Sequence, residues 1–201
     1  MSQDFSRKAT RHYDADSPRL LPTNCLRACT ASPTEISYND STDPSKLYRA
    51  EIEFISKEDW IGELKILFAD LLDGSGQVSR EATLGDSDAA VAYAKLKAVY
   101  PSKTREMLAE GSPESFANEA SVRGILGSVK KLNEGSAQKL YERLQHYVDS
   151  KEKITGVEHR KHNVPMEYWP LIKVVRIYTK AAALSTGAVI VDLVRSALIS
   201  L

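Results

Sequence analysis

The chain has 201 residues with 27 basic and 27 acidic side chains, so its formal net charge is zero. That balance excludes a general nucleic-acid or membrane-surface binder, which needs a basic excess to exploit phosphate electrostatics. The length and ordinary apolar content suit one folded domain, or one domain with an excursion.

In chain order, Met1–Arg19 is polar and without periodicity, and reads as a disordered lead-in with no apolar segment of a secretory signal. Cys25 and Cys29 form a lone C-x3-C pair without a second ligand pair, weak ground for zinc. They fit a reducing, intracellular setting. Thr34–Tyr38 is a short strand-like run, and Asn39–Ser45 is a turn-rich loop. Leu47–Ile55 alternates Ala50, Ile52 and Phe54 with Arg49, Glu51 and Glu53, the mark of a half-buried strand. These two runs are expected to pair antiparallel across the loop.

The period then changes. Ser56 is an N-cap for a helix carrying Trp60, Leu64, Leu67, Phe68 and Leu71 on one face, ended by Asp73-Gly74. Ser87–Tyr100 is a second helix stopped by Pro101, and Ser102–Glu110 is short and helical. Ser112-Pro113 restarts a helix with proline at its first position, and helical texture continues to Leu132. Ser136–Ser150 places Leu140, Tyr141, Leu144, Tyr147 and Val148 on one face. A charged loop, Lys151–Val164, contains the short basic run Glu158–His162, read as solvated.

Two β-rich runs follow, Ile172–Tyr178 and Ala188–Leu193. The second is continuously apolar up to Asp192, which reads as a strand buried on both faces of a mostly parallel sheet. A carboxylate at the carboxyl end of such a strand lies where open α/β sheets bind ligands. The apolar tail Ala181–Leu201 carries Asp192 and Arg195 and is not read as a membrane span.

The stretches Leu20–Tyr38, Leu47–Leu72, Tyr93–Tyr100, Leu140–Lys153 and Glu167–Leu193 resemble fungal dynamin-like large GTPases of the nuclear SLIP-GC type, members of the P-loop NTPase superfamily. The resemblance implies an α/β fold: a partial P-loop GTPase-like sheet interrupted by a large helical insertion. It divides 20–201 into a switch I region with strands (20–55), the insertion (56–150), a strand pair ending at the G3 position (165–193) and a divergent tail (194–201). It implies GTP and Mg²⁺ as ligands. Thr30 matches the switch threonine that contacts nucleotide and metal, with Thr34 as runner-up, and Asp192 matches the aspartate of the DLPG motif. Here that motif continues Asp192-Leu193-Val194-Arg195, without its proline and glycine. Asp192 equally suits the cap of a helix over Val194–Leu201.

The phosphate cradle GxxxxGK[ST] does not occur; Gly124–Lys131 and Gly74–Arg80 read as helical and loop sequence. Thr179-Lys180-Ala181-Ala182 imitates the guanine-reading motif but lies upstream of G3, and reads as the turn between two strands. The expectation is a fragment of a GTP-binding domain, not catalytically competent by itself. The alternative is a non-enzymatic helical module that binds a protein partner or self-associates through the insertion.

Overall fold

The alternation read at residues 49–54 yields a strand with one dry and one wet side. The computed structural model describes residues 32–85, 87–148 and 164–192. Strand β2 (Tyr48–Phe54) buries Ala50, Ile52 and Phe54 while Arg49, Glu51 and Glu53 stay half-buried opposite them. It belongs to a mixed five-stranded sheet with β1 (Thr34–Tyr38), β3 (Val129–Glu134), β4 (Ile172–Thr179) and β5 (Ile190–Asp192), in the order β3-β2-β4-β1-β5. β4 runs parallel to β1 and antiparallel to β2; β3 is antiparallel to β2, and β5 antiparallel to β1. The protein is a mixed α/β structure.

Three expectations are corrected. β1 and β2 run in opposite senses, as expected, but do not pair: β4 lies between them. β4 carries Ile172, Val174, Val175, Ile177 and Thr179, all buried. A strand that apolar gains most from the centre, where both edges are hydrogen-bonded and water is excluded. One apolar row crosses the sheet as Leu132, Ala50, Ile177 and Ile36.

The helical insertion is also interrupted. Residues 129–134 form β3, not helix. Gly127 adopts φ +73°, a conformation that favours glycine, and its N–H donates to the Ile55 carbonyl at 2.8 Å. Phe54 N–H donates to the Ser128 carbonyl at 3.0 Å. The chain is thereby delivered alongside β2, where Leu132 alone of the strand is buried.

The third correction concerns β5. It is an exposed edge strand, antiparallel to its neighbour, and not a strand buried on both faces. Among the described residues its apolar run has one neighbouring strand, β1, a place that composition alone does not convey.

The helices follow their local signals. α1 (Lys57–Leu71) starts at Ser56, whose hydroxyl accepts from Asp59 N–H at 3.0 Å, and buries Trp60, Leu64, Leu67, Phe68 and Leu71. α2 (Asp88–Val99) is capped by Ser87 and buries Ala89, Ala92, Leu96 and Val99. After α3 (Arg105–Glu110), α4 (Pro113–Ala117) begins with a reciprocal Ser112–Ser115 capping box and proline in its first turn. The four-residue α5 (Ala120–Arg123) leads toward β3, and α6 (Ala137–Val148) buries Leu140 and Leu144. Core residues of α1, α2 and α6 join Ala50, Ile52, Phe54, Leu132, Val175 and Ile177 in one cluster on one side of the sheet.

Candidate functional site

The opposite side of the sheet is charged. Cross-strand register lines up Lys131, Glu51, Arg176 and Glu35 in one row across β3, β2, β4 and β1, with Val191 of β5 at its end. Charges alternate along the row, the arrangement that stabilises cross-strand neighbours. Arg176 Nε reaches Glu35 at 3.0 Å and its Nη1 reaches Glu53 at 2.7 Å. Lys173 Nζ is 3.1 Å from Glu53, and the Arg49 guanidinium lies 5.0 Å from the Tyr178 ring centroid.

Arg176 first, then Lys173, hold the Glu53 carboxyl below its ordinary value, and the same contact raises Arg176. Burial pushes the Tyr178 phenol up, helped by the Glu51 charge. A carboxylate whose pKa is lower folded than unfolded contributes stability above its unfolded value and loses it as pH falls through the folded value. The chain is therefore expected to lose stability in acid below about pH 4.5, and Glu53→Gln to flatten that part of the profile. Denaturant midpoints measured from neutral pH downward check this; an unchanged slope in the variant contradicts it.

Of the residues singled out by sequence, Thr34 and Asp192 fall where the start of β1 meets the end of β5. Thr30 lies outside the described residues, as do Cys25, Cys29, the lead-in 1–19, most of the charged loop (149–163) and the tail 193–201. Asp192 is exposed and closes β5. In the antiparallel register it lies directly opposite Thr34, the first residue of β1. Thr34 Oγ1 is half-buried and donates to the Ser32 carbonyl at 3.4 Å. The structure thus brings Asp192 and Thr34 together, and in sequence Thr30 precedes Thr34 by four positions.

Among the described residues no group of three or more His, Cys, Asp or Glu is placed to hold a metal ion. One carboxylate and one hydroxyl suit a hard cation that keeps most of its waters and takes further oxygens from phosphates, as Mg²⁺ does. The 179–182 segment is the expected link between strands, but it must pass β1, because β4 and β5 are not neighbours. Thr179 is buried, and its carbonyl accepts from Asn39 N–H at 2.9 Å; a short 3-10 turn at Ala182–Leu184 follows.

One feature escaped the sequence reading. The end of α1, the following loop and the start of α2 enclose an open cleft of about 530 Å³ lined by Asp70, Asp73, Ser79, Glu81, Ser87 and Asp88. The density of Asp, Ser and Gly between residues 70 and 88 was its signal. Asp73 is already committed: the Ser75 hydroxyl and N–H, then Gln77 N–H, hold its carboxyl low. No helix among the described residues is long and apolar enough to cross a membrane. A scan against protein-family models matches none, and a search of curated proteins returns no match to this chain.

Proposed function

We propose that this chain forms the metal-side part of a GTP-binding site in a dynamin-like GTPase domain. Thr30 and Asp192 serve the Mg²⁺ ion, and Thr34, opposite Asp192 in the β1–β5 register, is the runner-up to Thr30. The observation that carries this reading is the pairing of β1 with β5, which sets Asp192 opposite Thr34 at one end of the sheet. In phosphoryl-transfer sites of this class a carboxylate at a strand end helps to hold Mg²⁺, and the γ-phosphate and Mg²⁺ together order a switch segment. The chain's own role in this reading is to hold metal and nucleotide. Hydrolysis is not expected from it alone, because positioning and charge stabilisation of the phosphates carry that chemistry and GxxxxGK[ST] does not occur in the sequence.

The alternative of a helical interaction module called for an exposed apolar face on α6. Leu140 and Leu144 are buried, and the partly buried Tyr147 and Val148 pack against the core, so most of that face is covered within the chain.

Titration of the purified chain with a fluorescent GTP analogue tests the proposal. Weak, saturable binding that requires Mg²⁺ is expected, reduced about tenfold by Asp192→Ala or Thr30→Ala, the scale of one charge-assisted contact. No Mg²⁺-dependent binding up to about 10 mM nucleotide, an affinity of under about 3 kcal/mol, overturns it.

A further inference from the structure

The two edges of the sheet are built differently. β3 exposes Lys130 and Lys131, and lysines on an edge strand discourage pairing with a like strand. The β5 edge has no such guard. No charged residue occurs from Ala181 to Val191, and Val189, Ile190 and Val191 are 54%, 55% and 51% exposed. Among the described residues, nothing pairs with the outer side of β5.

We propose that this edge pairs antiparallel with the same edge of a second copy of the chain, centred on Ile190, about a two-fold axis. In that register Val191 faces Val189 of the second copy, and Asp192 faces its Ala188. No like charges meet, and the exposed valines and isoleucines cover one another.

Charge complementarity selects this occupant. The β1–β5 register pairs Ile36 with Ile190; continued by two residues, it sets Ala188 beside Tyr38. The Lys180 ammonium lies 5.5 Å from the Tyr38 ring centroid. Strand alternation puts Tyr38, Ala188 and Asp192 on the same side of the sheet, so each Asp192 carboxylate approaches the Lys180 ammonium of the other copy. Two-fold symmetry makes the contact twice. A β3–β3 pairing centred between Lys130 and Lys131 would instead set these lysines opposite one another. In the β5 pairing the lysine-bearing edges end up outermost, where they stop further growth, and the assembly closes at two copies. The seam is short, which places the dimer among weak interfaces.

Sedimentation equilibrium of the full chain without nucleotide, from about 5 to about 500 µM, covers the range in which such a seam dissociates. A monomer–dimer equilibrium is expected. Ile190→Lys should be monomeric with an unchanged far-UV spectrum, because that side chain is exposed in the monomer. Asp192→Lys and Lys180→Asp should each weaken the dimer about tenfold, and the double exchange K180D/D192K should restore it to within about threefold. A monomer at every concentration, growth beyond two copies, or a dimer that survives Ile190→Lys overturns the proposal. A double variant no stronger than the singles rejects the register. Ile190→Lys alters neither Thr34 nor Asp192, so its result is independent of the nucleotide reading.

Discussion

Trp60→Ala is expected to destabilise the chain by about 3–5 kcal/mol, the scale for deleting a buried tryptophan. Trp60 is fully buried in the face of α1 that meets the sheet and neighbouring helices. It also anchors a buried polar chain: Trp60 Nε1–H donates to Tyr100 Oη at 3.0 Å, and Tyr100 Oη–H donates to the Phe116 carbonyl at 3.0 Å. These bonds tie α1 to the end of α2 and to α4. The Tyr100 and Phe116 rings meet edge to face at 4.8 Å, and Phe116 meets Phe68 at 5.3 Å. Truncation therefore opens a cavity and leaves the Tyr100 hydroxyl short of its donor. Stability of domains this size totals about 5–15 kcal/mol, so the melting temperature should fall by about 10 °C or more. Tyr100→Phe removes only the hydroxyl and should cost less, about 1–3 kcal/mol. Burial pushes the Tyr100 phenol far up, so the link should persist in alkali. Thermal melts that place Trp60→Ala within about 1 kcal/mol of the parent would contradict this account of the helical layer.

Asn39→Ala is the second large effect, at about 2–3 kcal/mol. Asn39 is 1% exposed at the end of β1. Its Nδ2 donates to the Lys46 carbonyl at 2.7 Å and the Leu47 carbonyl at 2.9 Å, while its Oδ1 accepts from Ser41 N–H at 3.1 Å. Its own N–H reaches Thr179 of β4. One side chain thus closes the loop that carries the chain over β4, from β1 to β2. Alanine leaves two carbonyls and an N–H without partners. Asn39→Asp should be no better, because a carboxylate keeps the acceptor for Ser41 but turns negative oxygen toward two carbonyls. Urea midpoints for both variants check this, and a parent-like Asn39→Asp would show that the two donated bonds matter little.

These two residues also mark what sequence can and cannot convey. The stripe containing Trp60 repeats at helical spacing, and Ser56, Ser87 and the Ser112-Pro113 pair are local caps, so the helices were legible from neighbouring residues alone. The alternation of β2 was equally plain. Strand order was not. Whether β1 neighbours β2 or β4 depends on contacts between segments more than a hundred residues apart, and no local pattern near Asn39 announces that its loop spans another strand. β3 was missed because Val129-Lys130-Lys131-Leu132-Asn133-Glu134 has one buried residue and good helix formers. Its strand character comes from β2, which supplies the hydrogen bonds. β5 shows the converse error. Its apolar run of strand-forming residues reads as a buried strand, yet it occupies an edge. For the candidate site, the sequence puts Thr34 and Asp192 at the ends of strand-like runs, but their juxtaposition comes only with the β1–β5 register.

The most direct test of the metal-side reading is paramagnetic mapping of the full chain with Mn²⁺ and a GTP analogue, recorded by amide NMR. The proposed site predicts that Thr34 and Asp192 amide signals broaden together in the presence of nucleotide, and that Asp192→Ala removes the effect at both positions. Broadening confined to the acidic cleft around Asp70 and Asp88, or none at either strand end, would contradict a Mg²⁺–nucleotide site at the junction of β1 and β5.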